Sequence, residues 1–348
     1  MEWKSPEYSK GQIINAGKII KDAASSTEKS KESLNVIDNW RASHAFPLQI
    51  IYCHLKRKYD KPDFIVAQRL KRLDSIVKKL EREPTMSLWT MQDLGGCRVV
   101  VPTIDDVYKA ANNYKSSRVR HILKKEYDYI KHPKRSGYRS YHLVYQYQSD
   151  TKETFNRNML IEIQIRTHLQ HLWATALETM GLFTNQALKA SNGEEDALRF
   201  FALISSLFAI IENTLTVPET YENPEDIISE LKLLDSKHNY LGMLSGIRVA
   251  VDRLDEKSDK RIGYCILILN YTTRRLRMKF YKPSQIDEAT KEYNQIERTR
   301  AEDKINAVLV SVSSLSTLKA AYPNYFSDIE DFIETVDKII NKKKIAKI

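Results

Sequence analysis

The sequence has 348 residues, enough for two domains with separate cores, and its 42% hydrophobic content excludes a largely disordered chain. There are 55 Lys and Arg against 45 Asp and Glu, and the net charge of +10 favours anionic partners such as nucleotides or RNA. The three cysteines are far apart and form no CxxC pair, which argues against a disulfide framework and predicts no zinc site.

The first residues contain no apolar run of the kind found in a signal peptide. No other stretch is long and apolar enough to cross a membrane. These features predict a cytoplasmic protein without a membrane partner.

The beginning of the chain is predicted to be helical. Residues 5–45 have a polar, helical pattern that Ser25-Ser-Thr27 interrupts, which indicates two helices. Pro47 is suited to the first turn of a third helix.

A single amphipathic helix is predicted over residues 64–82. Apolar residues recur there at helical spacing, at Val66, Leu70, Leu73, Val77 and Leu80. Polar residues lie roughly opposite, with Arg69 on the flank: Lys71, Ser75, Lys78, Lys79 and Arg82. This face is either an ordinary solvated surface or a rigid row of cations that binds a polyphosphate.

An acidic residue, Asp93, precedes Gly95-Gly96 and a buried strand predicted over residues 97–101. Glycines let a backbone approach a ligand closely. Asp93 is therefore either a turn residue or, beside a second carboxylate, a ligand of Mg²⁺, which prefers a few oxygens plus substrate phosphates.

Basic and aromatic residues are interleaved after a helix predicted over residues 104–115. Eight Lys or Arg lie between residues 115 and 135, together with Tyr127 and Tyr129. This composition suits stacking on a base combined with phosphate contacts. His142, in a strand predicted over residues 141–147, is either a phosphate ligand or a core histidine.

The segment from Glu162 to Thr167 alternates strictly between polar and apolar residues. Glu162, Gln164 and Arg166 fall on one face of the predicted strand, and the intervening isoleucines fall on the other. The polar face is either a solvated sheet surface or part of a site for a metal-bound polyphosphate.

Later residues are predicted to form helices and then a small α+β domain. The helices are expected over residues 168–180, 198–211 and 224–235, and the strongest linker signal lies between 217 and 224. A hairpin, a charged helix, a strand and an amphipathic helix are expected over residues 263–281, 284–302, 307–312 and 329–340. This part offers no Gly-rich loop, metal cluster or nucleophile–base pair, which favours a binding or regulatory role.

Four motifs, in order, resemble the synthetase domain of the RelA/SpoT family over roughly residues 45–182. They are Arg69-x-Lys71-xxx-Ser75-xxx-Lys79, Asp93-x-Gly-Gly-x-Arg98, Asp128-Tyr-Ile-xx-Pro-Lys134 with Gly137-Tyr-Arg-Ser-Tyr-His142, and Glu162-x-Gln-x-Arg-Thr167. The resemblance implies an α+β fold in which helices flank a mixed, nucleotidyltransferase-like sheet.

The resemblance also implies a reaction, the transfer of the β,γ-pyrophosphate of ATP to a ribose 3′-hydroxyl with release of AMP. Asp93 and Glu162 would hold Mg²⁺, Glu162 would act as the base, and Arg69 and Lys71 would assist catalysis. The implied ATP-binding residues are Arg69, Lys71, Ser75, Lys79 and Arg98. The implied acceptor-binding residues are Tyr138, which would stack on the base, and Lys134, His142, Gln164 and Arg166.

The layout resembles the toxic small alarmone synthetases that are fused to their own antitoxin, the CapRel type. Only about 45 residues precede the region of resemblance, without the HD-type metal pair of the long bifunctional members, and residues 225–348 contain one cysteine rather than a zinc finger. Proteins of this type pyrophosphorylate the 3′ CCA end of tRNA and are released by a phage protein. Tyr322 and Tyr325 would form the self-blocking motif of the C-terminal domain.

These expectations define two domains, a synthetase domain over residues 1–217 and a regulatory, pseudo-zinc-finger-like domain over residues 225–348. The leading hypothesis is an autoinhibited tRNA 3′-pyrophosphokinase that acts in phage defence. The alternative is a (p)ppGpp synthetase that uses GDP or GTP as its acceptor. A third hypothesis, a degenerate synthetase that only binds ligands, is disfavoured because Asp93, Glu162, Arg69, Lys71 and Tyr138 occur together.

Overall fold

The computed structural model describes residues 3–22, 28–71, 73–83, 85–187, 193–246, 263–270, 275–285, 287–289, 291–293, 295–296, 305–311 and 325–341. Contacts divide the chain into two compact units. The first unit is Met1–Ile130 with Ser140–His168, and the second unit is Lys131–Arg139 with Leu169–Ile348. The predicted domain boundary between residues 217 and 225 stays a prediction.

A mixed five-stranded sheet organises the first unit, in the order β1-β2-β5-β4-β3. Strands β2 and β5 are parallel, and the other neighbouring strands are antiparallel. This sheet and its flanking helices confirm the predicted α+β class. The strands are β1 (Ile65–Leu70), β2 (Gly95–Val101), β3 (Ile122–Asp128), β4 (Tyr141–Gln146) and β5 (Leu160–Thr167).

The alternation in β5 determines which face of the sheet is buried. Ile161, Ile163 and Ile165 are fully buried, and they join a core formed with α3 (Ala45–Lys58) and α5 (Ile104–Lys115). Successive side chains of a strand point to opposite faces, so the polar residues between the isoleucines face away from this core. The predicted apolar back of the strand is confirmed.

Three further helices of the first unit form a second core: α1 (Lys10–Asp22), α2 (Glu28–Ser43) and α4 (Leu73–Arg82). Trp40 of α2 is almost completely buried and stacks on Trp89, with 5.0 Å between the ring centroids. Helices α1 and α2 confirm the predicted pair, and the predicted break at Ser25-Ser-Thr27 lies outside the described residues.

The prediction of a single helix over residues 64–82 is wrong. The first part of that range is strand β1, and α4 begins only at Leu73. Residues four apart share a face in a strand as well as in a helix, so Val66 and Leu70 fit both patterns. These two residues pack into the core behind the sheet, whereas the apolar residues of α4 join the second core.

The basic run between residues 115 and 135 contains a strand, β3, that was not predicted. It lies at the edge of the sheet and pairs with β4. Its first five residues are all exposed, so no polar–apolar alternation marks it in the sequence. The exposed Lys124 and Lys125 also discourage this edge from pairing with another chain.

Helices form the main core of the second unit: α6 (His168–Ala187), α7 (Gly193–Ile211), α8 (Pro224–His238) and α9 (Tyr325–Asn341). The buried helix predicted over residues 198–211 is confirmed by α7, which contributes the fully buried Phe200 and Phe201. Helix α8 begins where the sequence indicates, because Asn223 caps the amide of Glu225 and Pro224 occupies the first turn.

A three-stranded antiparallel sheet, in the order β7-β6-β8, also belongs to the second unit. Strands β6 (Tyr264–Asn270) and β7 (Arg275–Tyr281) lie at the positions of the predicted hairpin, and β8 is Ile305–Ser311. Tyr322 lies outside the described residues, and Tyr325 is the first residue of α9. No helix in the described ranges is long and apolar enough to cross a membrane.

Candidate active site

Strand register places predicted site residues together on the face of the sheet opposite the isoleucine core. Residues directly opposite one another on neighbouring strands face the same side of a sheet. Two adjacent rows of such residues cross the sheet: Arg69, Gly96 and Glu162, and next to them Arg98, Gln164 and His142.

Gly96 leaves open space within the first row. A β-carbon built on Gly96 would have no atom closer than 3.9 Å, and its nearest neighbours would be the carbonyl oxygens of Arg69 and Glu162. Protein packing therefore does not require a glycine at this position. The missing side chain instead leaves room for a ligand over the strand between Arg69 and Glu162.

Glu162 is held by two neighbouring side chains. His142 Nδ1 lies 2.9 Å from Glu162 Oε1, and Gln164 Nε2 donates to Oε2 at 2.8 Å. Burial alone would raise the pKa of Glu162, but the hydrogen bonds from His142 and Gln164 outweigh it and hold that pKa below its usual value, against the charge of Asp93. Glu162 is therefore an oriented carboxylate that is ionised at neutral pH.

Asp93 binds two ammonium groups. Lys71 Nζ lies 2.8 Å from Asp93 Oδ2, and Lys79 Nζ lies 3.1 Å from both carboxylate oxygens. Burial opposes ionisation of Asp93, but the two lysines prevail and hold its pKa below the usual value. The backbone of Lys71 is itself fixed, because its amide donates to Leu94 O and its carbonyl accepts from Arg41.

Replacing Asp93 with asparagine should lower the free energy of unfolding at pH 7 by about 1.5–3 kcal/mol, the range for hydrogen bonds to charged groups. The pKa of Asp93 is depressed in the folded state, so its stabilisation is present above the unfolded value of about 4 and disappears as the pH falls below it. Urea titrations of the variant and the parent should therefore differ most at pH 7 and converge towards pH 3.

The matched control for this prediction is Asp38→Asn. Asp38 forms an exposed pair with Arg41, at 3.2 Å, and such pairs contribute about 0–1 kcal/mol. A stability difference for Asp93→Asn that did not change with pH would contradict the assigned ion pairs.

The predicted phosphate-binding residues lie on two elements rather than on one helix. Arg69 is an exposed residue of β1, and Lys71 follows the end of that strand. Ser75 and Lys79 lie one turn apart on α4, and both are half-buried. The prediction that these residues lie on one face of a single helix is wrong. Lys71 and Lys79 nevertheless both bind Asp93, which brings the two elements together.

Two tyrosines that lie beside this group are absent from the predicted set of site residues. The rings of Tyr127 and Tyr129 are nearly parallel, at 5° and 5.6 Å between centroids. The rings of Tyr129 and His142 are perpendicular, with 5.2 Å between their centroids, and Tyr127 Oη donates to Gln92 Oε1 at 3.2 Å. Their spacing of two residues puts both rings on one side of an extended backbone, and this is the signal in the sequence that could have indicated them.

Of the remaining acceptor-binding candidates, Lys134 and Tyr138 belong to the second unit. The Lys134 ammonium lies 5.5 Å from the centroid of the half-buried Tyr138 ring, and that ring also packs near Trp173. Arg166 is on β5 in the first unit and is only 2% exposed. Its role in binding an acceptor stays a prediction.

The part of the chain that carries this site is similar to known proteins. Residues 68–184 match the family model described as the region found in RelA / SpoT proteins. These residues are a RelA/SpoT-type domain. Every predicted site residue except Tyr322 and Tyr325 lies within this RelA/SpoT-type domain.

Two curated relatives match the same part of the chain. GTP pyrophosphokinase YjbM of Bacillus subtilis (strain 168) is 37% identical over 116 residues, which is 33% of this chain and 54% of the relative. GTP pyrophosphokinase YwaC of the same organism is 34% identical over 112 residues, which is 31% of this chain and 52% of the relative. The chain thus spans about half the length of the curated relatives it matches.

Solved structures that resemble the chain include small alarmone synthetase 1 from Bacillus subtilis. Its crystal structure is 27% identical, with a TM-score of 0.40, and the match covers 49% of this chain and 88% of that one. The structure of the same protein bound to its product pppGpp is 26% identical, with a TM-score of 0.42, and the match covers 51% and 92%.

Proposed function

We propose that the RelA/SpoT-type domain is an ATP-dependent pyrophosphokinase that transfers the β,γ-pyrophosphate of ATP to a ribose 3′-hydroxyl. The observation that carries this proposal is the juxtaposition of an oriented carboxylate with a cluster of cations. His142 and Gln164 hold the Glu162 carboxylate, and Lys71 and Lys79 bind Asp93. The negative charge of Asp93 acts to raise the pKa of Glu162, which places the two carboxylates near each other. Pyrophosphoryl transfer requires mainly charge neutralisation and alignment, which this arrangement supplies.

The cations would hold the donor. Lys71 and Lys79 share one carboxylate, so the two ammonium charges exceed the single charge of Asp93 that they bind. A polyphosphate offers several negative oxygens to the same ammonium groups, and Arg69 on the neighbouring strand adds a guanidinium suited to phosphate. Ser75, one turn before Lys79, and Arg98, on the adjacent strand, complete the proposed ATP-binding set.

Glu162 would accept the proton of the acceptor hydroxyl. As the proton moves to the Glu162 carboxylate, the 3′-oxygen forms a bond to the β-phosphorus, the bond from that phosphorus to the bridging α–β oxygen breaks, and AMP leaves. The lowered pKa of Glu162 keeps it ionised and ready at neutral pH. The bond from His142 keeps one carboxylate oxygen in a fixed direction, which general-base catalysis requires.

The donor set also fits Mg²⁺. This ion takes one or two carboxylates plus substrate phosphates, and Asp93 and Glu162 are close enough for the charge of one to affect the pKa of the other. Gly96 leaves room in the row that contains Glu162. Asp93 and Glu162 would therefore hold Mg²⁺, which would supply charge neutralisation at the phosphates when bound.

Two acceptors are candidates, and different observations favour each of them. The tRNA 3′ end is favoured by the exposed Lys124 and Lys125 on β3 and by the parallel rings of Tyr127 and Tyr129, because phosphates and bases beyond one nucleotide would need such contacts. GTP or GDP is favoured by the names of the two curated relatives, both GTP pyrophosphokinases. We propose the tRNA end as the leading acceptor.

One assay tests both the reaction and the acceptor. The full chain is incubated with Mg²⁺ and γ-labelled ATP, and with GDP, GTP or deacylated tRNA. Label on an acceptor together with AMP release supports a pyrophosphokinase, and label on tRNA supports the leading acceptor. Label on GDP or GTP alone would reject the tRNA proposal. Because the full chain is proposed to be inhibited in cis, the assay is repeated with Tyr322→Ala, and no label on any acceptor with either protein would overturn the proposed reaction.

We further propose that residues from about 225 onward inhibit the enzyme in cis and that a phage protein relieves this inhibition, as part of phage defence. Helices α8 and α9 share one core with α6 and α7, so deleting residues 225–348 would strip that core. Point variants therefore test the idea better. Tyr322→Ala and Tyr325→Ala should each arrest growth when expressed, and unchanged growth would count against a self-blocking motif.

A further inference from the structure

One face of α7 binds two different parts of the second unit. Three of its residues and Glu212, which directly follows its last residue and continues the turn, are spaced by four, three and four positions, which places them within about 60° of one another at 3.6 residues per turn. These residues are Phe201, Ser205, Phe208 and Glu212. Ser205 and Glu212 bind the segment 131–139, whereas the two phenylalanines contact Phe332 of α9.

The segment 131–139, which we call the acceptor loop, is tied to α7 on both sides of Tyr138. Before it, Ser205 Oγ donates to the carbonyl oxygen of Gly137 at 2.6 Å. After it, Arg139 Nη2 lies 2.6 Å from Glu212 Oε2, and the two side chains are 2% and 8% exposed. Buried charges of this kind have no water to replace a lost partner, so the pair fixes the backbone next to Tyr138 firmly.

Helix α9 packs against α7 and also binds α6. Phe332 is fully buried and lies 6.1 Å from Phe201 and 6.2 Å from Phe208, measured between ring centroids. Asp328 Oδ2, one turn earlier on α9, lies 3.1 Å from His171 Nε2 of α6, and both side chains are buried. The contacts of α9 and of the acceptor loop therefore alternate along α7.

We propose that Arg139 and Glu212 are positioning residues for Tyr138, and that docking of α9 on α7 sets how firmly the acceptor loop is held. Close-packed helices move as bodies, so displacing Phe332 shifts Ser205 on α7 and Glu212, which directly follows that helix. The inference rests on the proposed function, because it takes Tyr138 to bind the acceptor. It adds a route by which a partner that binds α9 changes acceptor binding without touching the ATP-binding residues.

Three variants of the full chain test this inference. Glu212→Gln keeps the shape and removes the charge, Arg139→Lys keeps the charge and loses the planar guanidinium, and Phe332→Leu loosens the contact of α9. The matched control is Glu230→Gln, because Glu230 of α8 pairs with Arg199 of α7 at 2.8 Å, and neither residue belongs to the acceptor loop.

Two readouts are needed. In the transfer assay, Glu212→Gln should raise KM for the acceptor at least tenfold, about the effect of losing one oriented contact, with KM for ATP changed less than twofold. Arg139→Lys should give a smaller rise, and Glu230→Gln should give none. In hydrogen exchange, the amides of residues 131–139 should exchange faster in Glu212→Gln and Phe332→Leu, while those of β5 keep the parent rate and report an intact fold.

The outcomes separate this inference from the proposed function. If neither the parent nor Tyr322→Ala labels an acceptor, the proposed function fails, but hydrogen exchange still decides whether α7 holds the loop. If Glu212→Gln behaves as Glu230→Gln in both readouts, the positioning role is overturned. If Phe332→Leu leaves exchange of residues 131–139 unchanged, the coupling to α9 is overturned.

Discussion

Replacing Glu162 with glutamine should reduce pyrophosphate transfer by about 10²–10⁴-fold, the contribution of a positioned general base. The substitution keeps the size of the side chain, and a glutamine can still hydrogen-bond to His142 and Gln164. It cannot accept the proton of the acceptor hydroxyl, and it removes one of the two carboxylates proposed to hold Mg²⁺. KM for the acceptor should change little, because these losses concern the transition state rather than substrate binding.

This prediction is checked by initial rates of label transfer from γ-labelled ATP at saturating substrates. Glu153→Gln is the control, because Glu153 is an exposed residue of a short 3₁₀ turn and should keep the parent rate. The thermal transition of Glu162→Gln is measured as well, to show that the variant is folded at the temperature of the assay. Activity within tenfold of the parent would mean that Glu162 is not the base.

Strand β5 and its buried face are predictable from the sequence because the pattern of β5 is strong and simple. Three isoleucines alternate with three polar residues, and a period of two is unambiguous over that length. Residues 64–71 offered no such pattern, since Val66 and Leu70 satisfy both a helical and a strand period. Strand β3 gave no signal either, because an exposed edge strand has no buried face to impose alternation.

In the candidate site, the sequence likewise reveals the residues within each motif but not the contacts between motifs. The four motifs identify Asp93, Glu162 and the basic residues, since each motif is continuous in sequence. The partners of these residues depend on strand register, which brings His142 to Gln164 and Glu162 across 20 or more residues. No periodicity encodes that Lys71 and Lys79, from two different elements, meet on Asp93.

Replacing Gly137 with alanine should destabilise the second unit by about 2–5 kcal/mol, from adverse backbone conformation and overpacking together. Gly137 has a φ of +91°, which residues with a β-carbon rarely adopt. A β-carbon there would also lie 2.7 Å from Trp173 Cζ2 and 3.2 Å from the α-carbon of Ala202. Neither neighbour can yield easily, because Trp173 is buried and its indole nitrogen donates to Phe201 O at 2.7 Å.

The control for Gly137→Ala is a substitution that is expected to raise the stability of the protein. Gly181 lies inside α6, and a β-carbon there would have no neighbour within 4 Å, so Gly181→Ala should stabilise the protein by about 0.5–1 kcal/mol through helix propensity. Urea titration followed by tryptophan fluorescence measures both changes. If Gly137→Ala left the transition in place, the close contact of the acceptor loop with α6 and α7 would be wrong. A shifted transition with a raised KM for the acceptor would link that contact to Tyr138, the next residue in the chain.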